Sequence, residues 1–570
     1  MNRTDEIYDN VDIIEKPRSN WDRDFRHLST FNAGKLVPFY LDMDIIPGTT
    51  IKNKTTLLVR LQTPYNPTMD NMYLDYYYFK CSKFWYWDNF RAMMGENKFG
   101  AWAQTVAYEE PKIITNTTYP TGINDFATYI GVRMGTANLK WSKLAINAYI
   151  DIWNNYFRDQ NLMAPIQYDT TDANLNADGT IQTGFGLLPT CRLHDYFSSA
   201  TLQPQKGNSI STPLGISAPI QGYSVVRAES ATFNNNLANV AIKFRTIDGT
   251  NIPSGYATLG ANNNNTPQTT LAVYNQGSSG IGNNHSSNIT PNNLYAEAGY
   301  PLPTGFTPMY ADLTNATAAT INALRLAFAT QRILERDSEN GTRYRELLLA
   351  HFGVCPSDES INIPEYLGGK RIPINITQIC QTSSTDSTSP LGYTGAMSIT
   401  VDMNEDFTKS FTKDDMIIGV LTVRADHTYS QMLPRQLTRT GRLDRYWPEL
   451  SHVGNMPIYN YEIYATGTST DSQVFGYKEA WQEYMYKPSM ISGEMLPDYA
   501  QSLDIWHYGD DYATLPVLSE NWMKEPVEFI DRTLTVPSTS ANQFKMDCFI
   551  EQNVTAPIPL HRYPGLIDHY

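Results

Sequence analysis

Two adjacent carboxylate and imidazole pairs, His194-Asp195 and Asp426-His427, are the residues best suited to proton transfer in this chain. A carboxylate beside an imidazole can orient the ring and make it a better general base. Neither pair has an obvious nucleophile placed beside it by sequence. Such pairs more often serve turns and caps, and both are read that way. Asp414-Asp415 and Asp510-Asp511 could supply the acid and base of a glycosidase, but they read as loop residues. HExxH, GxSxG and GxxxxGK[ST] do not occur, and Gly368-Gly369-Lys370 lacks the upstream glycine of a phosphate loop. The nine histidines show no metal-ligand spacing. The five cysteines are far apart, odd in number and without a CxxC pair, as in a reducing compartment. The expectation is a chain without enzymatic activity, metal or cofactor.

A second chemistry is more visible. The segment LPRQLTRTGRLDRYW carries Arg435, Arg439, Arg442 and Arg445 against Asp444, with Tyr446 and Trp447 alongside. Arginine among aromatics suits single-stranded nucleic acid, where phosphates need charge and bases need stacking surfaces. A solvated face or an inter-subunit ion-pair site would use the same residues. Near the start, Lys16, Arg18, Arg23, Arg26 and Lys35 outnumber Asp22 and Asp24. This stretch reads as a solvated extended segment or as a strap that touches phosphates. Arg18, Arg23 and Arg26 are the DNA contacts expected from it. The formal net charge is −15, so any contact with nucleic acid must be local.

The elements that must position these residues are mostly strands. Low charge, 18%, and abundant Tyr, Asn, Thr, Gly and Pro favour β structure with many turns. Residues 36–46 and 52–63 read as strands, the first with an edge or bulge at Pro38. The stretch NMYLDYYYFKCSKFWYW at 71–87 has nine aromatic residues in seventeen. Its alternation puts Met72, Leu74, Tyr76 and Tyr78 on one face and Tyr73, Asp75, Tyr77 and Phe79 on the other. Both faces are largely apolar or aromatic, so both should be covered, by the chain's own core or by another chain. Tyr73, Tyr76, Tyr78, Trp85 and Trp87 are the subunit-interface residues expected on the second reading. Met416–Val423 is apolar and rich in β-branched residues, the pattern of a central strand covered on both faces.

Helices are predicted at 85–94, 141–159, 321–335, 343–352 and 477–486. In the second of these Trp141, Leu144, Ala145, Ala148, Ile152 and Tyr156 form one apolar stripe. Between Arg245 and Arg325 there is no Lys or Arg, and Asn, Thr, Gly, Ser and Pro dominate. That composition suits either disorder or an insertion that builds its own small surface structure, and short apolar stretches such as Tyr223–Val226 and Val240–Phe244 favour the second. The amino terminus has no apolar h-region, so no signal peptide is expected, and Met416–Val423 is too short to span a bilayer.

Ten segments in order carry a family resemblance. They include STFNAGKLVPFY at 29–40, DNMYLDYYYF at 70–79, AYIDIWNNYFRDQNL at 148–162, LHDYFSSATLQPQKG at 193–207 and GTRYRELLLAHFGV at 341–354. PEYLGG at 364–369, VLTVRADHTYSQ at 420–431, RYWPEL at 445–450, VFGYKEAWQEYMYKPS at 474–489 and LDIWHYGDDY at 503–512 complete them. With these the chain resembles the major capsid proteins of the Microviridae, small icosahedral single-stranded DNA phages, of the gokushovirus type. The acidic start, TDEIYDNVDIIE, departs from the family's pattern.

The resemblance implies a mainly β fold, an eight-stranded antiparallel jelly roll with long insertions containing short helices. It implies an extended segment at 1–30 and a single jelly-roll domain at 31–570. Within that domain a variable surface insertion at 208–318 would form a protrusion at the three-fold axis. The same resemblance implies a virion protein, assembled in the bacterial host cytoplasm into a T=1 shell around a circular single-stranded DNA genome. Its partners would be copies of itself, the DNA genome, a small basic DNA-binding virion protein and a host cell-surface receptor. From the residues alone the alternative is a β-rich carbohydrate-binding or carbohydrate-cleaving protein.

Overall fold

The computed structural model describes residues 17–97, 106–115, 122–176, 186–208, 210, 321–383, 385–387 and 390–561, with six short strand segments between 220 and 311. Nine strand segments build its two main sheets. They are β1 (Ser19–Asp22), β2 (Phe25–Phe31), β3 (Val37–Ile45), β4 (Thr50–Leu61), β5 (Met72–Ser82), β6 (Glu365–Pro373), β7 (Thr400–Ser410), β8 (Asp415–Ala425) and β9 (Phe544–Ala556). One sheet runs β1-β9-β4-β7, with β2 also on β9, and the other runs β6-β5-β8-β3. Every pairing in them is antiparallel. Asp22 faces Asn553 and Phe25 faces Ile550, so β1 and β2 are one edge strand interrupted at Arg23-Asp24. With that edge counted once, each sheet has four strands. Successive strands switch sheets except from β5 to β6, which gives a jelly-roll-like sandwich.

Strand β8 shows why the sandwich closes. Ile417, Leu421 and Val423 point into the core between the sheets, beside Phe31, Leu57, Val59, Tyr76 and Phe544. Met416, Ile418 and Val420 point the other way, into a second core against the helix α1 (Lys143–Ile152). A two-residue period with apolar residues on both faces requires two covered faces, and the strand has them. Strand β3 lies at the sheet edge, and its pairing with β8 shifts register opposite Pro38, which has no amide hydrogen to give.

The insertion between β5 and β6 supplies the second core. All ten residues of α1 are buried, not the one stripe the sequence pattern predicts, because loops wrap the side turned away from the sheet. Ser142 caps it by accepting from the Leu144 amide. Even Lys143 is enclosed. Its ammonium holds Asp169 at 3.0 Å and the carbonyls of Thr171 and Ala173 at 2.8 and 3.0 Å. Farther along come α2 (Ile321–Asn340) and α3 (Tyr344–Phe352).

Two predicted helices are corrected. Residues 85–94 hold only a 3-10 turn at Lys83–Trp85 and a four-residue helix at Phe90–Met93. Residues 477–486 begin in the strand Val474–Lys478, paired with Met456–Tyr459, and only Gln482–Tyr484 coil.

Gly368 and Gly369 have a packing reason. A Cβ on Gly369 would lie 2.1 Å from the Tyr76 carbonyl oxygen, and one on Gly368 2.3 Å from that of Asp406. These glycines let β6 approach β5 and β7 closely.

The chain divides into two compact units, Met1–Asn208 with Arg332–Tyr570, and Ser209–Gln331. In the second unit the described strands form three nested antiparallel pairs. Ile220–Gln221 lies against Tyr310–Ala311, Phe244–Thr246 against Leu294–Ala296, and Ala257–Leu259 against Val273–Asn275. The rest of the expected insertion at 208–318, and residues 1–16 of the expected amino-terminal segment, lie outside the described residues. No helix among the described residues is long and apolar enough to cross a membrane.

Candidate subunit and nucleic-acid interfaces

The aromatic strand β5 is covered on both faces by its own chain. Tyr76 and Tyr78 lie in the core between the sheets, edge-on to Phe39 and to each other. Phe79 and Trp87 lie in the second core. The expectation that Tyr76, Tyr78 and Trp87 meet a neighbouring subunit is therefore corrected, since none offers surface to one. Tyr73 and Trp85 stay partly exposed. The guanidinium of Arg371 sits over the Tyr73 ring, 5.4 Å from its centroid. The Trp85 indole N–H is buried without a hydrogen-bond partner.

The arginines separate by what neutralises them. Arg18 donates to the Gly48 carbonyl. Arg23 pairs with Asp42 and gives Nε to Gln552 at 3.0 Å, bridging the break between β1 and β2. Arg26 makes a two-pronged pair with Asp547 at 2.9 and 2.6 Å. Within the other cluster Arg435 reaches the Pro457 carbonyl at 2.8 Å and stands 3.5 Å from Glu462. Arg439 binds Glu483 at 2.9 Å and the Tyr484 hydroxyl at 2.7 Å, with its guanidinium 4.3 Å from that ring's centroid. Arg23, Arg26, Arg435 and Arg439 thus already have carboxylates.

Arg442 and Arg445 differ. Both are exposed, and neither makes an ion pair among the described residues. Arg442 stacks over Trp447 at 4.6 Å, and the Trp447 indole donates to the Arg442 carbonyl at 3.1 Å. Asp444, the acid between them, is also exposed but is occupied within its own loop, accepting from the Thr440 and Gly441 amides at 3.2 and 2.6 Å. These hydrogen bonds hold its carboxyl below the usual range. The loop tip therefore presents two guanidinium groups beside Tyr446 and Trp447, which can meet phosphates and bases.

The carboxylate and imidazole pairs do structural work. Asp195 accepts from the Phe197 and Ser198 amides and from the Tyr429 hydroxyl. His427 is buried, with Nδ1 2.9 Å from Asp510 and Nε2 3.2 Å from Glu525. Burial opposes the imidazolium, but these two carboxylates overcome it and push His427 up to about 10. Arg192 closes the cluster on Asp510 and lies 4.8 Å from the Trp522 ring centroid. Asp510 lies in an irregular segment, as read, yet is a buried anchor. So is Asp415, which accepts from Ser82 at 2.5 Å and stands 3.8 Å from Lys80. Sequence reading also missed Asp75, which holds Arg371 through two bonds of 2.7 and 3.0 Å and also binds Arg424. Its partners lie 296 and 349 positions away, beyond the reach of any local pattern. Among the described residues no group of His, Cys, Asp and Glu could hold a metal ion.

The structure is a two-sheet sandwich with long insertions, and comparison with known proteins gives its family. The model of the family described as "Capsid protein (F protein)" matches residues 10–566. The chain belongs to this family of phage capsid proteins. Capsid protein VP1 of Chlamydia phage 1 is 32% identical over 583 residues, 96% of each chain. Capsid protein VP1 of Bdellovibrio phage phiMH2K is 32% identical, over 98% of this chain and 97% of its own. That of Spiroplasma virus 4 is 32% identical, over 96% and 95%. The resemblance to gokushovirus-type Microviridae capsid proteins thus holds over nearly the whole length. This capsid protein is a structural virion component, and the carbohydrate-cleaving alternative falls with that.

Proposed function

We propose that this capsid protein self-assembles into a T=1 icosahedral shell that encloses a circular single-stranded DNA genome. The whole-length match to capsid proteins carries the reading, and the jelly-roll-like sandwich supports it. A shell must bind its genome without reading it, so its contacts need charge and stacking more than base-edge hydrogen bonds. Arg442 and Arg445, beside Tyr446 and Trp447, meet that need better than Arg18, Arg23 and Arg26. A chain at −15 would still neutralise little DNA, which leaves room for a small basic virion protein inside the shell. Tyr73 and Trp85 are proposed as subunit contacts. The insertion at 208–318, without Lys or Arg from Asp248 to Leu324, suits an outward protrusion that meets a host cell-surface receptor.

The test is sedimentation and negative-stain imaging of the purified chain, alone and with circular single-stranded DNA. Closed particles of one size, with DNA protected from nuclease, are expected. A chain that stays monomeric under all assembly conditions overturns the proposal.

A further inference from the structure

We propose that the stretch from Ile333 to Val354, the end of α2 with all of α3, is a contact between two copies of this chain. The inference rests on the shell reading and names one of its interfaces. Neither helix has a single buried residue. Yet α3 reads YRELLLAHF, apolar around most of its circumference, the composition of an enclosed helix.

The arrangement is inverted relative to a free surface. The polar residues of α3 and of its amino-terminal cap are engaged within their own unit. Arg343 donates to the carbonyls of Asn154 and Arg158 at 3.3 and 2.8 Å. Arg345 pairs with Asp358 at 2.6 Å, and Glu346 accepts from the Arg343 amide at 3.1 Å. His351 meets Asp337 at 2.7 Å, which ties α3 back to α2. The apolar side chains face solvent instead. Phe352 is 75% exposed, Tyr344 63%, Val354 57%, Leu349 54% and Ile333 51%. At 100° per residue Tyr344, Leu348, Leu349 and Phe352 fall within an arc of about 140° on α3. Roughly 500 Å² of apolar surface is at stake, toward the upper end of the about 300–600 Å² of a monomer's largest patch and enough for the centre of an interface of about 800 Å² per partner.

The chemistry selects the occupant. Arg345, the one cation in that arc, is already spent on Asp358, so nothing there favours phosphate. Aliphatic and aromatic groups of this size call for a protein surface. Every copy displays the same stripe, so its cover must be present in equal number, and in a self-assembling shell another copy of this chain is.

The test compares the parent with Leu349→Asp/Phe352→Asp. Thermal unfolding and circular dichroism of the unassembled subunits report folding, and sedimentation reports particles. The expected result is an unchanged melting transition with at least a tenfold loss of particles. Normal assembly of the variant overturns the inference. Cys355, exposed at the end of the stripe, gives a second measurement that needs no disruptive change. On a Cys380→Ser background its reaction with a thiol reagent should be at least tenfold slower in particles than in subunits. Equal rates overturn the inference while leaving the shell reading standing. A parent chain that never forms particles overturns both.

Discussion

The hydroxyl of Tyr76 donates to the Asp406 carboxylate at 2.8 Å, between the two sheets of the sandwich. Asp406 also accepts from Asn53 at 3.0 Å, Thr55 at 2.5 Å and Asn404 at 2.9 Å. Tyr78 joins through Thr55 at 2.6 Å. An aromatic strand that reads as interface is thus pinned to the opposite sheet by its polar tips. Burial, then the nearby Asp406 charge, push the Tyr76 hydroxyl well above its ordinary value, so it stays a donor.

Removing that donor should cost stability before it touches assembly. Tyr76→Phe keeps the ring and should destabilise the subunit by about 1 kcal/mol. Tyr76→Ala should cost about 4 kcal/mol, because it also opens a cavity. Denaturant unfolding of unassembled subunits measures both. A Tyr76→Phe subunit as stable as the parent, with impaired particles, would return this residue to the interface.

Gly369→Ala should be more damaging than an exposed strand glycine suggests. Its Cβ meets backbone, the Tyr76 carbonyl, which cannot swing aside. The strand must shift, and a loss of about 2 kcal/mol is expected, of the size seen for overpacking. Urea titration is the check, with Gly395→Ala as control, where the nearest heavy atom is 3.9 Å away.

The cluster of His427, Asp510, Glu525 and Arg192 gives a pH signature. His427 binds its proton up to about pH 10 in the folded chain, against an ordinary value of 6.5. The stability it contributes is fully present below pH 6.5 and is lost as the pH rises through about 10. Asp510 is held well below the carboxylate range. Burial raises it, but the charges of Arg192 and His427 and its hydrogen bonds win. Its contribution is present above its ordinary value and fades on acidification. His427→Gln should cost about 3 kcal/mol near pH 6.5, because Asp510 and Glu525 lose a buried counter-charge. Melting temperatures from pH 6.5 to 9 should fall for the parent and change less for the variant. Parallel pH profiles would show that the ring is neutral.

The fold was more legible than the surfaces, for a physical reason. Met416–Val423 announces a central strand because alternation is local and both phases are apolar. The stripe on 141–159 announces a helix, though not that loops would bury its other side. Residues 477–486 mislead because their aromatics fit either period. Long-range pairing to 456–459 decides for a strand at their start, and Trp481, at φ 65°, precedes the short coil that follows. Charge is harder still. Arg23 and Arg26 look free in sequence, but Asp42 stands 19 positions away and Asp547 stands 521.

On the proposed genome contact, that difference in neutralisation sets which arginines should matter. Arg442→Ala and Arg445→Ala should each lower the salt slope of single-stranded DNA binding by about 0.7, with little sequence preference and no change in subunit stability. Arg439→Ala should instead destabilise the subunit, because Glu483 and Tyr484 lose their partner. Fluorescence binding of an oligonucleotide at several salt concentrations separates the two. Equal slopes for parent and both loop variants would take the loop out of genome binding.

The insertion can be removed at a defined place. Gln221 faces Tyr310 in the outermost of its three nested strand pairs, so its two arms meet there. Replacing residues 222–309 by a short Gly/Ser linker joins points the fold already holds side by side. The entropy of closing a loop changes by only about 0.6 kcal/mol per doubling of its length, so the deletion should not penalise the sandwich. The two sheets draw all their strands from outside the deleted residues. Subunits should fold and particles form, while adsorption to host cells falls at least tenfold. Thermal unfolding, sedimentation and an adsorption assay read the three steps separately. Failure to fold would place the insertion in the core. Normal adsorption would move receptor binding to another surface.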